Sequence, residues 1–139
     1  MEFEVELKTQ HMEMLTNAVA WFEIPVTNFE RAQKFYSAIY DYEMPEFPMA
    51  PGYRMGILLY DQPGGGIGGA IMQGEGYNPT SSGSKVYLNG GKDLNTVLNR
   101  VEAAGGKIVL NKTLITPELG HFAAFEDTEG NHIYLHSMA

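Results

Sequence analysis

The sequence contains no cysteine, which excludes disulfide scaffolds, thiolate zinc sites and cysteine nucleophiles. Candidate metal ligands are therefore confined to four histidines and the carboxylates. The sequence also has no apolar run of the roughly 18 to 20 residues that a membrane-spanning helix requires. Its first residues lack the basic and apolar segments of a secretory signal. We therefore expect a cytoplasmic protein without a membrane partner.

Basic residues are scarce: Lys and Arg total 9 against 17 Asp and Glu, which gives a net charge of −8. This acidity argues against nucleic acid or an anionic membrane as the main partner and mildly favours neutral or cationic small ligands. Charged residues make up only 19% of the chain and hydrophobic residues 44%, so its 139 residues can bury a core of single-domain size.

Two segments each combine a strand pattern with a capped amphipathic helix. Residues 20–26 predict a strand, and Asn28 precedes apolar residues spaced as on one helix face, namely Ala32, Phe35, Tyr36 and Ile39. Residues 85–89 predict another strand, and Asp93 precedes a helix with the same spacing at Leu94, Val97, Leu98 and Val101. Gly105 and Gly106 predict the end of that second helix.

Three further strand-like segments follow each predicted helix. They cover residues 42–47, 53–60 and 67–73 in the first half, and 107–112, 122–126 and 132–137 in the second. The last strand of each half follows a glycine, and the spacing of Gly66 and Gly130 matches that of the two helix caps to within one residue. One such unit is too small to be stable alone, so we expect the two to share a sheet or core.

This repeat predicts the organisation of the chain. The first unit covers residues 18–76 and the second 84–139, and residues 77–83 form a linker rich in Pro, Ser and Thr. Residues 1–17 are predicted to be a leader or an extra edge strand, because apolar residues alternate there with glutamates.

Two local motifs carry a resemblance to a known family. The first is Ile24-Pro-Val-Thr-Asn28 leading into Glu30-Arg-Ala-Gln-Lys-Phe-Tyr36, and the second is Phe125-Glu-Asp-Thr-Glu-Gly-Asn131. Over residues 18–138 the chain resembles the glyoxalase/bleomycin-resistance/extradiol-dioxygenase group, also called the vicinal oxygen chelate superfamily. The resemblance implies an α+β fold in which two βαβββ modules form a U-shaped eight-stranded cup, with helices outside and a ligand inside. It also implies a homodimer.

Strand periodicity then predicts which side chains face the cup. In the first strand Phe22, Ile24 and Val26 should face the helices, and Trp21, Glu23 and Pro25 should face the cup. The same argument in the other strands predicts a set of ligand-binding residues: Trp21, Met72, Lys85, Tyr87, Asn89, His132, Tyr134 and His136.

The resemblance also indicates where a metal would be held. Metal-dependent members place His, Gln or Glu ligands at positions that correspond here to Trp21, Ala70, Lys85 and Tyr134. The side chain of Trp21 offers only a hydrogen-bond donor, Ala70 offers no ligand atom, and Lys85 repels a cation. Tyr134 is then the one remaining ligand, and a single ligand cannot make a metal site. We therefore expect no metal cofactor. The chain is expected to belong to a branch of the lactoylglutathione-lyase relatives that lacks the metal site.

Glu23 is the one carboxylate predicted inside the cup, two positions after Trp21 on the same strand face. It is a candidate general base or an anchor for a ligand's donor group. The alternative is a structural pair with Lys85, or a solvated position at the cup edge. His132 and His136 lie on one strand face and could bind a metal, but a strand-end pair near solvent is the commoner arrangement.

Three functions fit these residues. The chain is predicted to bind a small molecule, either as a metal-independent lyase or isomerase, or as a sequestration protein of the bleomycin-resistance type without catalysis. The third possibility is a metal-dependent glyoxalase or dioxygenase, which requires a different strand alignment. The aromatic cup residues Trp21, Tyr87 and Tyr134 suit a flat ligand in each case.

Overall fold

The computed structural model describes residues 12–139, and in that part of the chain it confirms the α+β fold with two βαβββ modules. The elements are β1 (Trp21–Pro25), α1 (Phe29–Tyr40), β2 (Glu46–Phe47), β3 (Arg54–Ile57), β4 (Gly68–Gln73), β5 (Tyr87–Asn89), α2 (Asn95–Leu98), β6 (Lys107–Thr116), β7 (Gly120–Glu126) and β8 (His132–Ser137). They form two four-stranded sheets, ordered β1-β4-β3-β2 and β5-β8-β7-β6. In each sheet the first and last strands of the module pair in parallel. Of the predicted leader or edge strand at residues 1–17, residues 1–11 lie outside the described residues and residues 12–17 form no strand.

Helix α1 begins where the cap pattern predicts. Asn28 is extended, and its side chain accepts a hydrogen bond from the backbone N–H of Arg31 at 3.1 Å. The backbone N–H of Phe29, the first residue of the helix, has no acceptor within the helix. It donates instead to the side-chain oxygen of Gln73 in β4 at 2.6 Å. The helix ends at Asp41, which has a φ of 51° in the left-handed region. Both ends of α1 are thus fixed by local hydrogen bonds.

Helix α2 is shorter than the periodicity predicts. The helix was expected to reach Val101 but covers only Asn95–Leu98. The chain then continues in tight turns, with Arg100 N bonded to Val97 O at 3.0 Å and Val101 N to Leu98 O at 3.1 Å. All four predicted apolar residues are nevertheless buried. The spacing therefore predicted the burial correctly and the helix length wrongly, because burial can be met by successive turns.

Three strands also differ from their predicted extents. Strand β2 has two residues instead of six, because Pro45 and Pro48 flank it and cannot donate to a ladder. Strand β3 covers residues 54–57 of the predicted 53–60. Strand β6 runs on to Thr116 rather than ending at residue 112, with register shifts against β7 near Leu110 and Leu114.

The predicted alternation of strand faces is confirmed. In β1, Ile24 and Val26 are fully buried, with Phe22 packed against them, whereas Trp21 and Glu23 are exposed on the other face. In β8 the core residues Ile133 and Leu135 alternate with half-buried His132, Tyr134 and His136. Strands β1 and β8 thus each have one core face and one more exposed face, whereas β4 is buried on both faces from Gly68 to Met72.

Both modules contribute to one contiguous apolar core. The cluster joins residues of α1 and β1 to residues of β5, α2, β7 and β8. Helix α1 contacts the second module directly, with the rings of Phe35 and Phe125 centred 5.7 Å apart. The expectation that the two units share a core is therefore correct.

The turn between β7 and β8 also ties the modules together. The side chain of Asn131 donates to the carbonyl of Pro25 at 2.7 Å and accepts from the backbone N–H of Thr80 at 3.0 Å. These two bonds fasten the end of β1 and the segment before β5 to a single buried amide. The Gly-Asn of the second sequence motif thus has a structural role.

Among residues 12–139, no helix is both long enough and apolar enough to span a bilayer.

Candidate functional site

The first module carries an open concavity of about 600 Å³, here called the aromatic cavity. The strand register places Phe47, Met55 and Met72 side by side on one sheet face, with Trp21 on the same face of β1. The cavity is lined by Trp21, Tyr42, Pro45, Phe47, Met55, Ile57, Leu58, Leu59, Tyr60, Gln62 and Pro63. Four of these side chains are aromatic, and none of these lining residues carries a formal charge. Trp21 and Phe47 remain 37% and 58% exposed.

Glycines in β4 allow an aromatic ring to lie on each face of that strand. A Cβ added to Gly68 would lie 2.3 Å from the ring of Tyr60, and one added to Gly69 would lie 2.5 Å from the ring of Phe22. Tyr60 also meets Trp21 edge to face, with centroids 6.3 Å apart. Gly68 therefore seats the ring that closes one side of the aromatic cavity.

In the second module the ligand-facing side of the sheet carries an aromatic pair with a cation beside it. Tyr87 and Tyr134 are direct partners across β5 and β8, and their ring centroids are 5.0 Å apart. The ammonium of Lys85 lies 5.4 Å from the centre of the Tyr134 ring. Tyr87 is 50% exposed, so one of its ring faces is accessible to a ligand.

A second concavity, here called the seam groove, lies between the two modules and has a volume of about 590 Å³. One side is formed by Val19, Phe22 and residues 66–69, and the other by residues 85–89 of the second module. Leu58, Leu59 and Tyr60 line both the seam groove and the aromatic cavity. The two concavities therefore share a wall.

Of the two structural alternatives for Glu23, the pair with Lys85 is not formed, and Glu23 is exposed. The carboxylate of Glu23 instead accepts a hydrogen bond from the hydroxyl of Tyr77 at 2.8 Å, and Lys85 lies over Tyr134. The hydrogen bond to Glu23 raises the pKa of Tyr77 above its ordinary value. Sequence reasoning missed Tyr77 because it lies in the predicted linker, 54 positions from Glu23.

The remaining predicted site residues lie outside the aromatic cavity: His136 shares a concavity of about 490 Å³ with Tyr87 and Asn89, and His132 shares a smaller one with Glu23. Met72 is only 2% exposed and lines neither concavity. Asn89 lines the seam groove, and its side chain accepts from Gly91 N at 2.8 Å. His136 lies 2.6 Å from the carbonyl of Leu119, and His132 lies 3.2 Å from the carboxylate of Glu126. Each histidine thus already has a hydrogen-bond partner close by.

The residues at the family's metal positions do not fit a divalent cation. Ala70 is fully buried, the indole of Trp21 packs against Tyr60, and Lys85 brings a positive charge to Tyr134. No ligand set of nitrogen or oxygen lone pairs is formed by these side chains. Throughout residues 12–139, no three His, Asp or Glu side chains are grouped as an ion would require.

The structure thus brings Trp21 into the aromatic cavity and places Lys85, Tyr87 and Asn89 along the seam groove. Sequence reasoning missed most of the aromatic cavity, in particular Phe47, Met55, Ile57 and Leu59. Strand parity could have found Met55 and Ile57, because they share the face of Met72 and Ala70.

Comparison with known protein families found no matching family profile. A relative from Didymella fabae, described as a glyoxylase-like domain-containing protein, is 30% identical to this chain over 120 residues. Those residues represent 85% of this chain and 91% of the relative.

Several solved structures share the fold. TnmS3, an antibiotic binding protein from a Streptomyces species, is 20% identical with a TM-score of 0.62, over 91% of this chain and 100% of that chain. A glyoxalase I mutant from Zea mays is 19% identical with a TM-score of 0.62, over 86% of this chain and 46% of that one. A mutant of FosX, a fosfomycin resistance protein from Listeria monocytogenes complexed with Mn(II), is 14% identical with a TM-score of 0.58, over 91% of this chain and 93% of that chain. At these identities the likeness concerns the fold alone.

Proposed function

The chain belongs to the glyoxalase-like, vicinal oxygen chelate superfamily, and on that premise we propose that it sequesters a flat, largely apolar small molecule in the aromatic cavity without a metal. The observation that carries this proposal is the uncharged aromatic lining of the cavity. A pocket of about 600 Å³ falls in the range of pockets that hold small organic ligands. The antibiotic binding protein TnmS3 shows that this fold can serve binding.

The lining also favours binding over catalysis. Its only titratable groups are tyrosine hydroxyls, and that of Tyr42 donates to the carbonyl of Ile57 at 2.7 Å. Burial raises the pKa of Tyr42 well above its ordinary value, so its hydroxyl stays protonated. Such a cavity can stack and desolvate a ligand but supplies no acid–base pair near neutral pH.

The proposal is tested by a titration with planar aromatic probes. Trp21 is the only tryptophan, so its indole resonance and fluorescence report directly on occupancy of the aromatic cavity. Neutral naphthamide should perturb the Trp21 signal, and Phe47→Ala should weaken binding by about tenfold, which corresponds to about 1.4 kcal/mol of lost stacking and burial. Leu114→Ala, which truncates an exposed side chain on β6, is the matched control and should bind normally.

A separate measurement addresses chemistry and metal. We expect the protein purified without chelators to hold no stoichiometric transition metal, and a bound natural ligand to be recovered unchanged after long incubation. Metal bound at one equivalent per chain, or a ligand converted to product, would each contradict the proposal.

A metal-independent enzyme is the second candidate, favoured by the Glu23–Tyr77 hydrogen bond on the ligand-facing side of β1. An exposed carboxylate with a phenol beside it can accept and return a proton. Turnover that Glu23→Gln abolishes while ligand binding persists would establish this function in place of sequestration.

We also propose that the protein acts as a homodimer in the cytoplasm. Two exposed apolar side chains of the aromatic cavity, Phe47 and Leu59, belong to a surface that a second copy would cover. Light scattering that gives a monomer mass at micromolar concentration would exclude the dimer.

A further inference from the structure

We infer that the seam groove is a second compartment of the same ligand site and that it receives an anionic end of the ligand beside Lys85. This inference rests on the proposed function and names the class of ligand more closely: a planar aromatic molecule with a carboxylate or similar anion at one end. Three features support it: the wall shared by the two compartments, the ammonium of Lys85, and the Tyr87–Tyr134 pair beside that ammonium.

The shared wall places the two compartments within reach of one molecule. Leu59 and Tyr60 contribute to both, so a ligand stacked in the aromatic cavity extends past Tyr60 into the seam groove. Tyr60 itself is held in place by Gly68 beneath its ring and by Trp21 at its edge. The boundary between the compartments is therefore one aromatic side chain on a fixed support.

The two compartments differ in charge. The aromatic cavity has no charged lining residue, whereas Lys85 and Asp61 line the seam groove. The Asp61 carboxylate is engaged within its own loop, where it accepts from Gly64 N at 2.9 Å. Lys85, by contrast, takes part in none of the salt bridges found among the described residues, although this chain has almost twice as many acids as bases.

The position of Lys85 suits a planar anion. Its ammonium lies over the Tyr134 ring, whose centroid is 5.0 Å from that of Tyr87, a half-exposed residue that lines the seam groove. An aromatic carboxylate lying along Tyr87 would place its ring on an aromatic surface and its charge near the ammonium. The net charge of −8 opposes anions at long range, but salt screens that repulsion beyond about 8 Å at physiological ionic strength.

The test compares three probes of equal shape: naphthamide, naphthoate and naphthylmethylammonium, which are neutral, anionic and cationic. We expect naphthoate to bind about fivefold to tenfold more tightly than naphthamide, since a partly exposed ion pair contributes about 1 kcal/mol. Lys85→Gln should remove that preference and leave naphthamide within about twofold. Lys85→Arg should retain the preference because it keeps the charge.

Lys34→Gln is the matched control, because it removes one positive charge from the exposed face of α1 and lines neither compartment. Naphthoate binding that does not exceed naphthamide binding in the wild type overturns the inference, as does an equal loss in Lys34→Gln and Lys85→Gln. In both cases normal naphthamide binding leaves the proposed function standing. Failure of all three probes to perturb Trp21 would overturn both.

Discussion

Glu129 is bound to Arg31 across 98 positions of the sequence, with a carboxylate oxygen 2.7 Å from the guanidinium Nε. The same side chain accepts from the backbone N–H of Asn28 at 2.8 Å, so the turn before β8 holds the first turn of α1. The carboxylate of Glu129 is fully buried, whereas Arg31 is half exposed. Arg31 belongs to the first sequence motif of the family and Glu129 to the second. This ion pair, here called the joint, therefore links the two modules.

The joint predicts a loss of stability in acid. Burial alone would raise the pKa of Glu129, but the hydrogen bonds from Arg31 and Asn28 outweigh it and lower the pKa from 4.5 to about 2. A lowered folded-state pKa stabilises the fold above the unfolded value, and that stability is lost as the pH falls from about 4.5 towards 2. We expect Glu129→Gln to cost about 2 kcal/mol at pH 7 and roughly half as much at pH 3, by urea unfolding.

The control for this measurement is Glu102→Gln, which changes an exposed glutamate beyond α2. Its free energy of unfolding should differ from that of the wild type by less than about 0.5 kcal/mol at either pH. If Glu129→Gln lost as much unfolding free energy at pH 3 as at pH 7, the lowered pKa of Glu129 would not be the cause of the stabilisation.

The contact between Gly68 and Tyr60 gives a second prediction. Gly68→Ala places a methyl group 2.3 Å from the Tyr60 ring, so the ring must move away from Trp21. We expect a loss of about 1 to 3 kcal/mol in stability, a shift of Trp21 fluorescence and weaker binding of planar probes. Adding Tyr60→Leu to Gly68→Ala should recover most of the stability without restoring binding. A fluorescence spectrum unchanged by Gly68→Ala would show that the ring does not depend on this glycine.

The sequence predicted the parts of the fold that depend on local patterns. The cap at Asn28, the core residues of β1 and β8 and the division of each strand into two faces all follow from spacing alone. The helix ending at Leu98 instead of Val101 did not follow, because spacing specifies which residues are buried and not the turn that buries them. The boundaries assigned to the linker at 77–83 remain a prediction.

The site was predicted less completely because it depends on contacts between distant segments. Trp21 was found from its strand face, but Phe47 and Leu59 were not, since β2 is too short to show periodicity and Leu59 lies beyond the end of β3. The partner expected for Glu23 was Lys85, by charge, yet the structure supplies Tyr77 from the linker. Opposite charge identifies possible partners for a side chain. Which of them lies within hydrogen-bond distance depends on the three-dimensional course of the backbone.

The buried hydroxyl of Tyr36 gives a third prediction. It donates to the carboxylate of Asp127 at 2.7 Å, and burial raises the pKa of that carboxyl despite four hydrogen bonds to its oxygens. Tyr36→Phe removes one donor from a buried charge and should cost about 1 to 3 kcal/mol at pH 7. Tyr40→Phe, whose hydroxyl donates to the neutral carbonyl of Asn89, is the control and should cost about 0.5 to 1.5 kcal/mol. Equal losses of unfolding free energy in Tyr36→Phe and Tyr40→Phe would contradict the expectation that the buried charge of Asp127 strengthens the Tyr36 hydrogen bond.

The hydrogen bond between Tyr77 and Glu23 gives the last prediction, and it separates a structural role of Glu23 from a functional one. Glutamine can still accept from the Tyr77 hydroxyl, so Glu23→Gln should preserve the contact at this exposed site. It replaces the hydrogen bond to a carboxylate, the main cause of the raised Tyr77 pKa, with one to a neutral amide, so that pKa should fall towards its ordinary value in an NMR titration. Under the sequestration proposal, probe binding at neutral pH should stay within about twofold of the wild type. A lowered Tyr77 pKa together with lost turnover of a natural ligand would instead assign Glu23 to catalysis, because the fold and the contact would both be intact in that variant.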